Sequence, residues 1–224
     1  MTVTEVGCMF ANPGSNIMDE STPAGKTLNN AWEVVTTKPG GPQRVYWGVE
    51  SAHPLNVWGF FDFASVEQHR AFADKYGAEA VKDIPKICTH PEFSKHLKMI
   101  PSSRVLESPL TEIMLAYFPQ DIPQDKQEAL SAQLSHILAN SFESDPDVIE
   151  VARGWGLEND FPVRGKDGQL GKVLMGFVGW RTTAAQANCC GTDEYKEAVS
   201  RIKEMEGCVS FYGLTVSCQH MERA

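Results

Sequence analysis

Apolar and polar positions along this chain switch between a period of two and a period near 3.6, and their order predicts a repeated string of strands and helices. Thr4–Ala11 (TEVGCMFA) reads as a short strand closed by the turn signal Asn12-Pro13-Gly14. A loop rich in Gly, Ser, Pro and Asp follows, then a short helix over Leu28–Thr37, ended by Pro39-Gly40-Gly41. Gln43–Ser51 (QRVYWGVES) is β-branched and aromatic, as strands are. Pro54 breaks it, and Val57–Phe63 returns as the next strand. Ser65, with Gln68 three residues on, forms a capping box that starts a helix. His69, Phe72, Ala73 and Tyr76 then fall on one inward stripe. His90-Pro91 opens a second expected helix, with Phe93, Leu97 and Ile100 on one face, and Val105–Glu107 is expected as a closing strand.

The second half echoes the first. Thr111-Glu112-Ile113 repeats Thr4-Glu5-Val6 and starts a strand over Thr111–Phe118. Pro123 begins a helix with Leu130, Leu134, Ile137 and Leu138 on one stripe. Val148–Leu157 matches the earlier aromatic strand loosely, and a polar hairpin over Asn159–Gly171 follows. Leu174–Asn188 (LMGFVGWRTTAAQAN) is a second copy of the Val57–Phe72 strand–helix junction. It lays Gly59 on Gly176, Phe60 on Phe177, Phe63 on Trp180, Ser65 on Thr182 and His69 on Gln186. Thr192–Tyr195 and Ile202 echo Pro91–Phe93 and Ile100, and Cys208–Cys218 is the last strand. Each half therefore reads β-α-β-β-α-β, the ferredoxin-like motif, with repeats over residues 1–109 and 110–224. The expected fold class is α+β, with the two repeats burying their bare sheet faces as an intramolecular barrel.

Composition narrows the function classes. The chain has 224 residues with a formal net charge of −9, which disfavours nucleic acid and anionic membrane as partners. The six cysteines show no zinc-type spacing, so no metal is expected. The sequence MTVTEVGCMF lacks the pattern of a secretory signal and no apolar run reaches bilayer length, so a cytoplasmic, reduced setting is expected. No Gly-rich nucleotide loop, H-E-x-x-H or G-x-S-x-G is present, and no cofactor is expected.

The phrase FASVEQHRAF (Phe63–Phe72) resembles the strand-to-helix junction of the dimeric α+β barrel superfamily, in its antibiotic-biosynthesis monooxygenase-like and stress-responsive branches. THPEFSKHL (Thr89–Leu97) resembles the second part of the same region. The likeness runs over most of the chain twice, although Gln186 replaces the histidine in the second copy. It implies a barrel completed by the chain's own second half, as a monomer or a homodimer. The superfamily includes cofactor-free monooxygenases, cyclases, lyases, decarboxylases and haem-binding branches, so the likeness narrows shape more than chemistry.

His69 leads the candidate catalytic residues: an inward helix position beside Trp58, Phe60, Phe61 and Phe63 suits general acid–base work. The plain alternative is a hydrogen-bonded core histidine. His96, near Phe93 and Leu97, is the expected assistant, since a histidine of this segment points into the cavity in related barrels. Glu50, at a strand end, is a third acid–base candidate. Tyr46, Trp58, Phe60 and Phe93 are expected to shape a hydrophobic small-molecule substrate. Asp62 joins them if its strand parity turns it inward, where a carboxylate needs a partner. Arg153 is an embedded cation suited to a carboxylate or phenolate. These residues predict a cofactor-independent enzyme that cyclises or isomerises a polyketide- or terpenoid-like molecule, or a cofactor-free monooxygenase, or a non-catalytic ligand carrier.

Overall fold

The computed structural model describes residues 2–223, without the side chains of His90 and Pro91. It resolves into two compact units: Met1–His96 with Gln219–Ala224, and Leu97–Cys218. The repeat boundary at 109/110 is a reading of sequence descent and is a different line from this one.

The first unit runs β1 (Val3–Ala11), α1 (Pro23–Thr37), β2 (Arg44–Val49), β3 (Asn56–Phe63), α2 (Val66–Phe72) and β4 (Cys88–Leu97), with β10 (Gln219–Glu222) added from the C-terminus. Its sheet order is β10-β2-β3-β1-β4. Between α2 and β4 the chain passes through a π-helical turn (Ala73–Gly77), the one-turn helix α3 (Ala78–Ala80) and a 3₁₀ turn (Ile84–Lys86). The second unit contains β5 (Leu110–Phe118), α4 (Gln124–Leu138), β6 (Val148–Trp155), the short β7 (Phe161–Pro162), β8 (Leu170–Trp180), α5 (Thr183–Cys190), α6 (Asp193–Lys203) and β9 (Ser210–Val216). Its order, β6-β8-β5-β9, repeats β2-β3-β1-β4 of the first unit. The chain is thus an α+β protein built from a duplicated ferredoxin-like motif.

Local signals explain the element starts. Thr22, Ser65, Thr182 and Thr192 each cap a helix with a side-chain oxygen that accepts a backbone N–H. At α2 the Gln68 side chain reaches back to accept from the backbone of Ala64, one residue before the position a capping box uses. On α4 the expected stripe Leu130, Leu134, Ile137 and Leu138 is buried against Met114, Phe118, Leu174 and Val178. In the first unit Leu28, Trp32 and Val35 of α1 pack on Val45, Trp47, Val57 and Phe63.

Two expected elements are different. Residues 90–97 lie in strand β4, not a helix, because β4 pairs along β1 and the sheet's period of two overrides an apolar spacing that also fits 3.6. Val105–Glu107 belongs to a 3₁₀ turn, Ser103–Glu107, opened by the Ser102 hydroxyl accepting from the Arg104 N–H.

Candidate functional site

The register of β1 on β3 builds the site. Glu5 stands opposite Phe61, Gly7 opposite Gly59 and Val3 opposite Phe63, so these residues share one face of the sheet. Two glycines face each other at the middle of that face, and the Phe61 ring folds over Gly59, 2.9 Å from where its Cβ would sit. Above it α1, α2 and the segment through Pro85 border a partly open cavity of about 760 Å³, lined by Trp32, Val35, Phe61, Phe63, Phe72 and Phe93 among others. In the second unit the same ladder position pairs Met114 with Gly176. There Met114 is buried, and Leu134 and Leu138 of α4 come within 3.6 Å of where a Cβ on Gly176 would sit. At this place the first unit has Gly7 where the second has the buried Met114 side chain.

A chain of polar groups runs from the wall of this cavity, formed by Ser94, Glu5 and His69, back to His96. Alternation on β4 puts Ser94 and His96 on one face, flanking Glu5. The Ser94 hydroxyl donates to Glu5 Oε1 at 2.6 Å, and His69 Nε2 lies 3.1 Å from Glu5 Oε2. His69 Nδ1 in turn lies 2.8 Å from His96 Nε2. Ionised Glu5 can only accept, so His69 carries its proton on Nε2. With both rings neutral, His96 Nε2–H donates to His69 Nδ1. With His69 cationic, the direction reverses and His96 accepts. The chain therefore accommodates one extra proton without moving a heavy atom. Glu5 and His69 are about five-sixths shielded, at 16% and 17% side-chain exposure, and His96 is 6% exposed, so their attraction is stronger than at an open surface. The ring of Phe63 packs 4.8 Å from His69 and holds it over the sheet. Cys88 also borders the cavity, but burial pushes its thiol up to about 11, leaving it protonated and a poor nucleophile at neutral pH.

Of the residues singled out in the sequence, His69 and His96 meet at this site; Phe93 borders it, but its ring meets Trp58 edge-on, with centroids 5.7 Å apart. Tyr46, Trp58, Phe60, Asp62 and Glu50 do not line the cavity. They belong to the other face of the first sheet, opposite Val45, Trp47, Val57 and Phe63. There Glu50 accepts from Trp58 Nε1 at 2.9 Å, and Trp58 stacks on Phe60 with centroids 6.1 Å apart. Asp62 is fully buried and accepts from Thr4 Oγ1 at 2.7 Å and Arg44 Nε at 3.0 Å, directly across the ladder on either side. These carboxylates hold strands together. Arg153 belongs to the second unit, where its Nε donates to the Ser131 carbonyl on α4. Glu5 and Ser94 are the site residues that the candidate set lacks. The available signal was the carboxylate recurring at Glu5 and Glu112 within otherwise apolar strands.

The second unit holds a muted copy of the carboxylate–helix pair. Glu112 takes the place of Glu5, and Gln186 that of His69; Gln186 Nε2 donates to Glu112 Oε2 at 3.3 Å, and the Tyr195 hydroxyl donates to Oε1. Burial raises the Glu112 carboxyl above the usual range, against the pull of those bonds. An amide cannot carry the proton that an imidazole carries.

Fold and site together define a duplicated ferredoxin-like chain with a carboxylate–imidazole–imidazole chain at one apolar cavity. No protein-family model matches the chain, and no curated protein matches it in sequence. Solved structures share its fold. An anthrone oxidase-like protein aligns with a TM-score of 0.68 at 14% identity, over 100% of this chain and 94% of that one. A protein proposed to be a monooxygenase, from Lactobacillus acidophilus, aligns with a TM-score of 0.59 at 12% identity, over 100% and 97%. A chlorite dismutase from Candidatus Nitrospira defluvii aligns at 0.56 and 8% identity, over 97% and 90%. Likeness at these identities establishes the fold alone.

Haem, which the sequence resemblance raises, does not fit the site as built. An axial ligand needs a ring nitrogen lone pair turned to the cavity. Both His69 nitrogens are engaged by Glu5 and His96, and His96 is not among the residues bordering the cavity.

Proposed function

We propose that this protein is a cofactor-independent enzyme that removes a proton from a hydrophobic, ring-bearing small molecule held in the first unit's cavity. The observation that carries the reading is the Ser94–Glu5–His69–His96 chain, placed at the wall of an otherwise apolar, aromatic space. Glu5 keeps lone pairs beyond the two hydrogen bonds described and takes the substrate proton. His69 stabilises charge on Glu5 and shares it with His96. The apolar walls hold the anion in its reactive conformer, which supplies much of the rate.

The anion then has two routes. It rearranges within the cavity, as in a cyclisation or isomerisation, or it gives its electrons to dioxygen. The second route is favoured by the names of the structures that share the fold, an anthrone oxidase-like protein and a monooxygenase. Oxygenating a ring methylene to a carbonyl consumes one O₂ and releases one water, so it needs no external reductant.

The test is extraction of any small molecule that co-purifies, its identification by mass spectrometry, and its return to the protein in an oxygen electrode. Oxygen uptake with a carbonyl product supports the oxygenase route, and an isomeric product without uptake supports rearrangement. A ligand returned unchanged under both readouts sinks the enzyme reading. A Soret or flavin band in the purified protein sinks cofactor independence.

A further inference from the structure

Trp32 is 5% exposed, borders the cavity, and has an indole Nε1–H with no hydrogen-bond partner among the described residues. An indole N–H is donor-only, and buried indoles ordinarily find an acceptor. The surrounding contacts are rings: Phe61 meets Trp32 edge-on with centroids 5.0 Å apart, and Trp47 lies at 6.4 Å. None of these supplies an acceptor of oxygen quality, and the cavity that Trp32 borders is the space beside it that can admit one.

We infer that Trp32 is a specificity-determining residue whose N–H reads a carbonyl-type oxygen on the ligand. The inference rests on the proposed function and narrows its substrate class. It selects ring ketones and quinone-like molecules, and disfavours hydrocarbon terpenoids of the same size. Its place is also set. Trp32 packs on Phe61 and His69 packs on Phe63, two residues further along the same face of β3. Successive same-face positions on a strand stand roughly 7 Å apart. A flat fused-ring ligand lying on Phe61 and Phe63 therefore presents its carbonyl to Trp32 and its acidic position to Glu5 and His69. A hydrocarbon of equal shape leaves the Trp32 donor unpaired inside the complex, which costs more than the bond itself contributes.

The test uses 9-fluorenone and fluorene, a flat three-ring pair differing only by C=O against CH₂, titrated into wild type and Trp32→Phe. Fluorenone should bind wild type about tenfold more tightly than fluorene. Trp32→Phe should lose that preference while binding fluorene as wild type does, which also shows the variant folded. In indole-¹⁵N-labelled wild type, the Trp32 Nε1–H resonance, identified by its contacts to Phe61, should move downfield with fluorenone and not with fluorene. An unmoved resonance, or a preference that survives in Trp32→Phe, overturns the role of Trp32 while the cavity reading stands. Failure of both probes to bind wild type overturns the cavity reading and this inference with it.

Discussion

His69 Nδ1 and His96 Nε2 lie 2.8 Å apart, so one imidazole must donate to the other at every protonation state that keeps the contact. His69→Gln copies what Gln186 does in the second unit and retains a donor for Glu5. The variant should fold, bind ligand with little loss, and lose turnover by about 10²- to 10⁴-fold, the usual worth of a positioned acid–base group. Steady-state kinetics on the extracted ligand check this. A kcat within twofold of wild type would show that the imidazole only packs.

Glu5→Gln tests the carboxylate separately. The variant keeps an oxygen for Ser94 or His69 but cannot take a proton. If Glu5 is the base, kcat falls by at least 10²-fold with KM nearly unchanged, whereas Ser94→Ala, which removes one of its donors, falls far less. Equal losses in the two variants would assign the carboxylate to structure.

Much of this arrangement was legible in the residues. The duplicated β-α-β-β-α-β order, the Ser65 cap and the stripe of α4 all follow from short-range spacing, and short-range spacing survives folding. His69 was visible because a helix cap fixes where its turn begins. Glu5 was not, because which face of a strand is open depends on what lies across the sheet; only the pairing of Gly7 with Gly59 decides it. The same ambiguity leaves the face of Glu50 and Asp62 open in the sequence; the ladder puts both at the other strand parity, away from the cavity. His96 was expected on a helix and arrives by another route, since the alternation of β4 sets it two residues from Ser94.

The muted site makes a prediction about pH. Burial raises the Glu112 carboxyl above its ordinary 4.5. A raised folded value means that the native state binds more protons than the unfolded chain, so this contribution to stability is full below 4.5 and is lost as pH rises toward the folded value. Glu112→Gln removes the titration while leaving an oxygen for the Tyr195 hydroxyl. Its melting temperature, compared with wild type from pH 4 to 8, should fall less across that range. Parallel curves would show that Glu112 does not set the slope.

Asp62 carries a stability prediction. It is fully buried between Thr4 and Arg44, and the Arg44 side chain is 17% exposed. Arg44→Leu takes away the cation and leaves the carboxylate buried. Breaking such a pair costs about 3–5 kcal/mol when both partners are buried; the partial exposure of Arg44 lowers that to about 2–3 kcal/mol. Urea unfolding gives the value directly. A loss under about 0.5 kcal/mol would class the pair with ordinary surface ion pairs.

The cavity itself is open to a test by exchange between the repeats. Gly7 faces Gly59 across β1 and β3, and Met114 faces Gly176 at the same place in the second unit. Nothing in the backbone of Gly7 demands glycine: its φ is not positive, and an added Cβ would meet only the Phe93 carbonyl, at 3.4 Å. Gly7→Met therefore places a flexible apolar side chain into the cavity without backbone strain, and methionine fills irregular gaps well. The variant should keep its melting temperature within a few degrees, yet lose fluorenone binding by at least tenfold. Because Glu5, His69 and His96 are untouched, lost binding with an intact fold would locate the ligand beside Gly7, on the face that carries Phe61 and Phe63. Undiminished binding would place it elsewhere and separate the acid–base chain from the cavity.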